Sequence, residues 1–287
     1  MTIAHKKLRV LIFANCQGGA LWHFLSKLLG AYFDLECIHI ENYHAMHKTN
    51  LIFERRDFIQ NADLLIYQPL VSEPQGRECQ YGIHPDVRAL LPLSAKTISV
   101  PFIYNYALWP MIEEGGGIKS GNDFFKTLQL SGSEEEVLSA YSGGRLEFSF
   151  FDRYLKTQSI LREKERGCDV VISQYIDMNI SEKRLFLTQM HPTSYVFVEC
   201  ARQAYSIAAN LFEFRVNSAL VQEFFVGASI NAAGLPGYFP IDKYSLEFYR
   251  FRWCNAPDPN AEQWYRDLIA RAYRALKSPQ DSSAAQS

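Results

Sequence analysis

The run Val10-Leu11-Ile12-Phe13-Ala14-Asn15-Cys16-Gln17-Gly18-Gly19 decides how this chain is read. Its continuous apolar part fits a strand buried on both faces, as a parallel sheet covered by helices requires. The run stops in an Asn-Cys-Gln-Gly-Gly corner, and Ala20 to Leu29 then carries Leu21, Phe24, Leu25 and Leu28 at helical spacing. Cys16 is therefore expected where a strand turns into a helix. Free N–H groups and the positive end of the helix dipole gather there, favouring a thiolate or a developing oxyanion. On that basis the Cys16 thiol should titrate below the reference of about 8.5. Gly18 and Gly19 would let a ligand approach the main chain closely.

Outward from this corner, Leu35 to Ile40 alternates as a second strand, and Leu51 to Asn61 reads as a short amphipathic helix. Asp63 to Gln68 reads as a third strand, broken by Pro69. The β-α-β-α-β order predicts a parallel sheet with right-handed crossovers, whose sites lie beyond the carboxyl ends of the strands. Asn15, Cys16 and Gln17 should then neighbour Gln68. Lys96 to Val100, closed by Pro101, predicts a fourth strand. The aromatic stretch Phe102 to Pro110, with Gly115-Gly116-Gly117 after it, reads as a substrate-covering insertion or as a surface Ω-loop packed by its own rings.

Asn122 to Arg166 is helical in pattern, with Ser133 as an N-cap before three glutamates and with Phe151, Tyr154, Leu155 and Gln158 on one face. Cys168 to Ser173 is a strand candidate. Leu185 to Thr188 is a short apolar run leading into Gln189-Met190-His191-Pro192-Thr193. Pro192 suits a first helical turn and Tyr195 to Phe212 supports a long helix, so His191 also falls at an element boundary. Ala261 to Leu276 closes the pattern as a helix. The expectation is one α/β domain over residues 1–277, a mostly parallel sheet flanked by helices with a flavodoxin-like core, an inserted loop at 69–120, a helical C-terminal elaboration, and a disordered tail at 278–287.

Composition narrows the function. Lysine plus arginine (29) nearly balance aspartate plus glutamate (31), which argues against a nucleic-acid footprint. The 20 Phe, 16 Tyr and 4 Trp suit a large core and a stacking site for a carbohydrate. Neither a membrane span nor a signal peptide is read from the sequence, and six cysteines without CxxC pairs indicate neither a disulfide framework nor a zinc site. A cytoplasmic protein with reduced thiols and no metal is expected.

A thiol and an imidazole at two element boundaries supply a nucleophile and a base for acyl transfer. Asn15, Gln17 and Gln68 carry amides suited either to an oxyanion or to tying down the turn itself. His39, His44 and His47 read as solvated, and Arg77 is a candidate for a phosphate. A Cys16–His191 dyad requires the sulfur and a ring nitrogen to lie within about 6 Å, with Gln68 lining the same cleft.

Three motifs in order, Asn15-Cys16-Gln17, Asp63-Leu64-Leu65-Ile66-Tyr67-Gln68-Pro69 and Phe186-Leu187-Thr188-Gln189-Met190-His191-Pro192-Thr193, resemble the WcbI family of polysaccharide-biosynthesis proteins. That resemblance implies an acetyltransferase of a bacterial capsule pathway, with acetyl-CoA and a capsule sugar or sugar-nucleotide as substrates and capsule-assembly proteins as possible partners. It also implies a distant likeness to the SGNH architecture, with Cys16 in place of the serine nucleophile and His191 as base; Asn15, Gln17, Gly18 and Gln68 are the oxyanion or substrate-binding candidates that the residues themselves offer. The SGNH pattern has an Asp three residues before the His, where this chain has Thr188. Two routes stay open: an acetyl-Cys16 intermediate, or direct transfer driven by His191. A carbohydrate esterase of the same architecture and a non-catalytic glycan-binding partner, with Tyr104 to Trp109 as its platform, are the rival readings.

Overall fold

A strand from Lys6 to Ala14 (β1) runs almost directly into a helix from Gln17 to Leu29 (α1). There follow β2 (Phe33–Glu41), α2 (Asn42–His47), α3 (Asn50–Glu54), α4 (Arg56–Ile59), β3 (Leu64–Tyr67), α5 (Pro85–Leu90) and β4 (Lys96–Ser99). The helices α6 (Asp123–Leu130), α7 (Glu134–Ser142), α8 (Phe150–Glu165) and α9 (Ser173–Asn179) precede the hairpin of β5 (Phe186–Thr188) and β6 (His191–Pro192). The chain closes with α10 (Ser194–Leu211), α11 (Ser218–Gly227), α12 (Lys243–Tyr249) and α13 (Ala261–Lys277). This computed structural model describes residues 6–47, 50–70, 82–112, 123–227 and 238–277.

The main sheet has the order β2-β1-β3-β4, and all its pairings are parallel. This is the flavodoxin-like arrangement, in which successive strands are laid down first on one side of β1 and then on the other. The reversal opens a crevice beyond the carboxyl ends of β1 and β3. Side chains alternate across β1 with period two, so the central strand feeds two cores. Val10, Ile12 and Ala14, with Leu64 and Ile66, pack against Leu21, Phe24, Leu25 and Leu28 of α1 and Phe197 and Ala201 of α10. Leu11, Phe13 and Leu65 face the other way, toward Ile52, Ile59 and Val87. A polar residue on either face of β1 would forfeit about 1.5–3 kcal/mol of burial; this is why the run is apolar without interruption.

Several expectations give way. The helix expected over residues 51–61 is two short ones, parted at Arg55. Cys168 to Ser173 forms no strand: its backbone meets β4 only at Ser99, whose carbonyl accepts from the N–H groups of Asp169 and Val170, while the Asp169 carboxylate accepts from both the N–H and the hydroxyl of Ser99, each at 2.7 Å. Residues 102–110 form neither a covering insertion nor a surface loop. Ile103, Tyr104, Leu108 and Trp109 are buried, and the Trp109 indole donates to the carbonyl of Pro240 at 3.2 Å. On α8, Phe151 and Leu155 point outward while Phe150, Thr157 and Leu161 point inward. Pro192 lies in β6, not in a helix, and α10 begins at Ser194. The 69–120 segment supplies β4 to the main sheet, and the tail at 278–287 lies outside the described residues. Among the described residues no helix is long and apolar enough to cross a membrane.

Candidate functional site

The turn between β1 and α1 is held by hydrogen bonds of its own residues and of their neighbours. Asn15 accepts twice, through Oδ1 from the N–H of Gln17 at 3.0 Å and through its carbonyl from the N–H of Gly18 at 2.9 Å. Its own N–H donates to Oε1 of Gln68 at 2.9 Å. Nε2 of the half-buried His39 stands 3.1 Å from the carbonyls of both Ala14 and Asn15. Both partners are acceptors, so Nε2 carries the hydrogen. His39 is thus a brace beneath the turn, not the solvated side chain expected; its role arises across strands, where β2 lies in register with β1.

The two glutamines bolt this turn to its surroundings. Gln17 Nε2 donates to the carbonyls of Ile103 at 2.6 Å and Met190 at 2.8 Å, while Oε1 accepts from the Ile103 N–H at 3.1 Å and from Gln68 Nε2 at 3.2 Å. Two donors and two lone pairs are the full capacity of an amide, so nothing of the Gln17 side chain is left over for a ligand. Gln68 gives both its N–H hydrogens, to Gln17 and, at 3.4 Å, to the carbonyl of Pro101, and accepts from Asn15 through Oε1. Gly18 faces inward. A Cβ there would stand 2.8 Å from Ala14 Cβ and Ile12 Cγ2 and 2.9 Å from His39 Nε2. The missing side chain lets α1 close onto β1; the ligand approach expected at Gly18 gives way to this packing.

Cys16, at the mouth of α1, is exposed. Its Sγ lies 3.9 Å from Nε2 of His191. Nδ1 of the same ring lies 2.8 Å from the hydroxyl of Thr188, which also accepts from the Met190 N–H at 3.4 Å. His191 stands on the antiparallel β5–β6 hairpin, not at the carboxyl end of a parallel strand. That hairpin is held on one side by Gln17 and by the Asn105 N–H, which donates to the Gln189 carbonyl at 2.7 Å. On the other side the Phe239 N–H reaches the Leu187 carbonyl at 2.7 Å.

The charges differ from the sequence expectation. Flanking protein pushes the Cys16 thiol above its ordinary value, and the Glu41 carboxylate adds to this; the N–H groups of Cys16 and Gln17 pull the other way but do not prevail. Burial lowers the His191 pKa. The resting pair is therefore a thiol beside a neutral imidazole. Glu41 ends β2 opposite Ala14, bonded by the Tyr43 hydroxyl and 3.1 Å from Nε2 of His44. Sequence reading missed this carboxylate because it meets Cys16 only through strand register. Arg77 lies outside the described residues. Trp109, part of the proposed glycan platform, is fully buried. Among the described residues no group of three or more His, Cys, Asp or Glu side chains gathers as for a metal ion.

The comparisons with known proteins agree with this architecture. A family model described as polysaccharide biosynthesis enzyme WcbI matches residues 9–208. No curated protein matches the chain. Among solved structures, the chain is similar to WcbI, described as a novel polysaccharide biosynthesis enzyme, in a native form without a disulfide bond between coenzyme A and one of its cysteines. That likeness has a TM-score of 0.58 at 16% identity and covers 96% of each chain. At such identity it speaks for the fold.

Proposed function

This chain belongs to the WcbI family of polysaccharide biosynthesis enzymes, and from that premise we propose that it transfers an acetyl group from acetyl-CoA to a hydroxyl of a capsular or exopolysaccharide precursor. The observation that carries the reading is the 3.9 Å approach of Cys16 Sγ to His191 Nε2 at the mouth of α1. An exposed thiol there can be reached by the slender thioester arm of a coenzyme A donor. The coenzyme A named with the solved WcbI structure supports that donor. The work is assigned to the cytoplasm, where acetyl-CoA is made.

His191 Nε2 takes the Sγ proton as the sulfur attacks the acetyl carbonyl. The carbon–sulfur bond to coenzyme A breaks, and the imidazolium returns the proton to the departing thiolate. In the second half the acceptor hydroxyl gives its proton to Nε2, its oxygen attacks the Cys16 thioester, and the bond to Sγ breaks as the imidazolium reprotonates the sulfur. Exchange between two thiols is nearly balanced, so the downhill step is oxygen acylation. Asn15 takes the N–H groups of Gln17 and Gly18, so the main-chain donor assigned to the developing oxyanion is the N–H of Cys16, beside its own thiol. Asn15, Gln17, Gly18 and Gln68 serve as the frame that holds the turn. The SGNH-like character of the site belongs to this proposal: nucleophile after the first strand, base near the end of the core.

Intact-protein mass spectrometry after mixing with acetyl-CoA tests the covalent route. One acetyl group should appear on wild type and be absent from Cys16→Ala. Transfer to a capsule-sugar acceptor that survives in Cys16→Ala would replace this route with direct transfer by His191. Absence of both coenzyme A protection against unfolding and acetyl transfer would overturn the function.

A further inference from the structure

The reactive pair just described leaves open which nitrogen of His191 carries the hydrogen, and the answer decides whether the ring can act as a base. Resting on that reading, we infer that Thr188 is a positioning residue that fixes His191 in the Nδ1–H form and leaves the Nε2 lone pair aimed at Cys16.

The juxtaposition is dictated by the hairpin. Thr188 and His191 are direct cross-strand partners flanking the two-residue turn Gln189-Met190, and opposite partners project to the same face. A hydroxyl oxygen has one hydrogen to donate and two lone pairs to receive. One lone pair takes the Met190 N–H at 3.4 Å, and the ring nitrogen at 2.8 Å occupies the other when Nδ1 is the donor. In the reverse arrangement, with Thr188 donating, Nε2 would carry the hydrogen. That hydrogen would point at Cys16 Sγ, which can accept it only weakly, and the ring would offer no acceptor for the thiol proton.

A hydroxyl does one half of what a carboxylate does at such a position. It holds the ring orientation and selects the tautomer, yet it places no negative charge beside the imidazole. The protonated ring is then stabilised only while the reaction produces it. This agrees with a resting pair of thiol and neutral imidazole, and it accounts for a site that keeps its shape without the acid three residues before the histidine.

The test is the tautomer itself, read from long-range proton–nitrogen NMR spectra of protein labelled with nitrogen-15 at histidine, at pH 8. Wild type and Thr188→Ser should show a protonated Nδ1 and an unprotonated Nε2 for His191, assigned by the loss of that signal in His191→Ala. Thr188→Val, which keeps the shape and loses the acceptor, should move the ring to the Nε2–H form or to exchange between the two. Acetyl transfer should fall by about 5- to 100-fold in Thr188→Val at an unchanged KM for acetyl-CoA, and recover in Thr188→Ser. An Nε2–H ring in wild type, or an unchanged tautomer in Thr188→Val whatever its rate, overturns the inference. Should wild type transfer no acetyl group, the proposed function fails, and the spectra still decide the role of Thr188.

Discussion

Sγ of Cys16 and Nε2 of His191 stand 3.9 Å apart although 175 residues separate them in the chain. One side chain ties the two segments together directly. Gln17 follows Cys16, Met190 precedes His191, and the Gln17 amide donates to the Met190 carbonyl at 2.8 Å. The same amide holds Ile103 and Gln68, so the β1–α1 turn, the hairpin and the end of β3 share one buried node.

Gln17→Leu should therefore disturb stability and chemistry together. It keeps the volume but strands the carbonyls of Ile103 and Met190 and the Ile103 N–H, at about 1–3 kcal/mol for each group that water cannot reach. A urea titration should give a loss of about 3 kcal/mol or more, with slower acetyl transfer in the protein that remains folded. Unchanged stability would mean that water replaces the amide without cost.

The Glu41 carboxylate opposes ionisation of Cys16, so its removal should act in the opposite direction. In Glu41→Gln the thiolate no longer faces a negative neighbour, and the pH at which iodoacetamide alkylates Cys16 should fall. Peptide mass spectrometry across a pH series reads the shift directly. A titration that stays in place would leave burial as the sole cause of the raised pKa.

How far this site is legible in the sequence depends on the range of the interaction. Val10 to Ala14 is apolar because both faces of β1 are covered, and that local pattern correctly located the strand, the helix after it and Cys16 between them. The short range of Asn-x-Gln and Thr-x-x-His also left traces: Asn15 closes its own turn, and Thr188 meets His191 across two residues. What was hidden came from strand register and long closures. His39 and Glu41 enter from β2, and Trp109 is buried by a segment 131 residues away at Pro240. Aromatic residues at 102–110 therefore read as a loop, since nothing near them in sequence reveals what covers them.

His191→Ala should lower acetyl transfer by about two to four orders of magnitude, the range for loss of a positioned general base. Coenzyme A protection against thermal unfolding should be little changed. In the proposed mechanism the active form in wild type is the neutral ring. Burial lowers its pKa, so the acidic limb of the rate profile should lie below the ordinary histidine value of about 6.5. A rate within threefold of wild type would reduce His191 to a structural part of the hairpin.

Asp242 makes stability depend on pH away from the site. Fully buried, it caps α12 by accepting from the Ser245 N–H at 2.8 Å, while Oδ2 has no hydrogen-bond partner among the described residues. Burial outweighs the hydrogen bonds from Ser245 and the charge of Lys243, and pushes its pKa to about 6. Because the folded value lies above the unfolded one of about 3.9, the folded protein holds the proton more tightly, and the stabilisation is complete only below pH 4. It is lost as pH rises through 6, by about 3 kcal/mol. Asp242→Asn keeps a good N-cap without the charge. Paired urea titrations should show the stability of Asp242→Asn relative to wild type improving by about 2 kcal/mol between pH 4 and pH 7. A difference that does not vary with pH would show that the carboxyl titrates alike in the folded and unfolded chains.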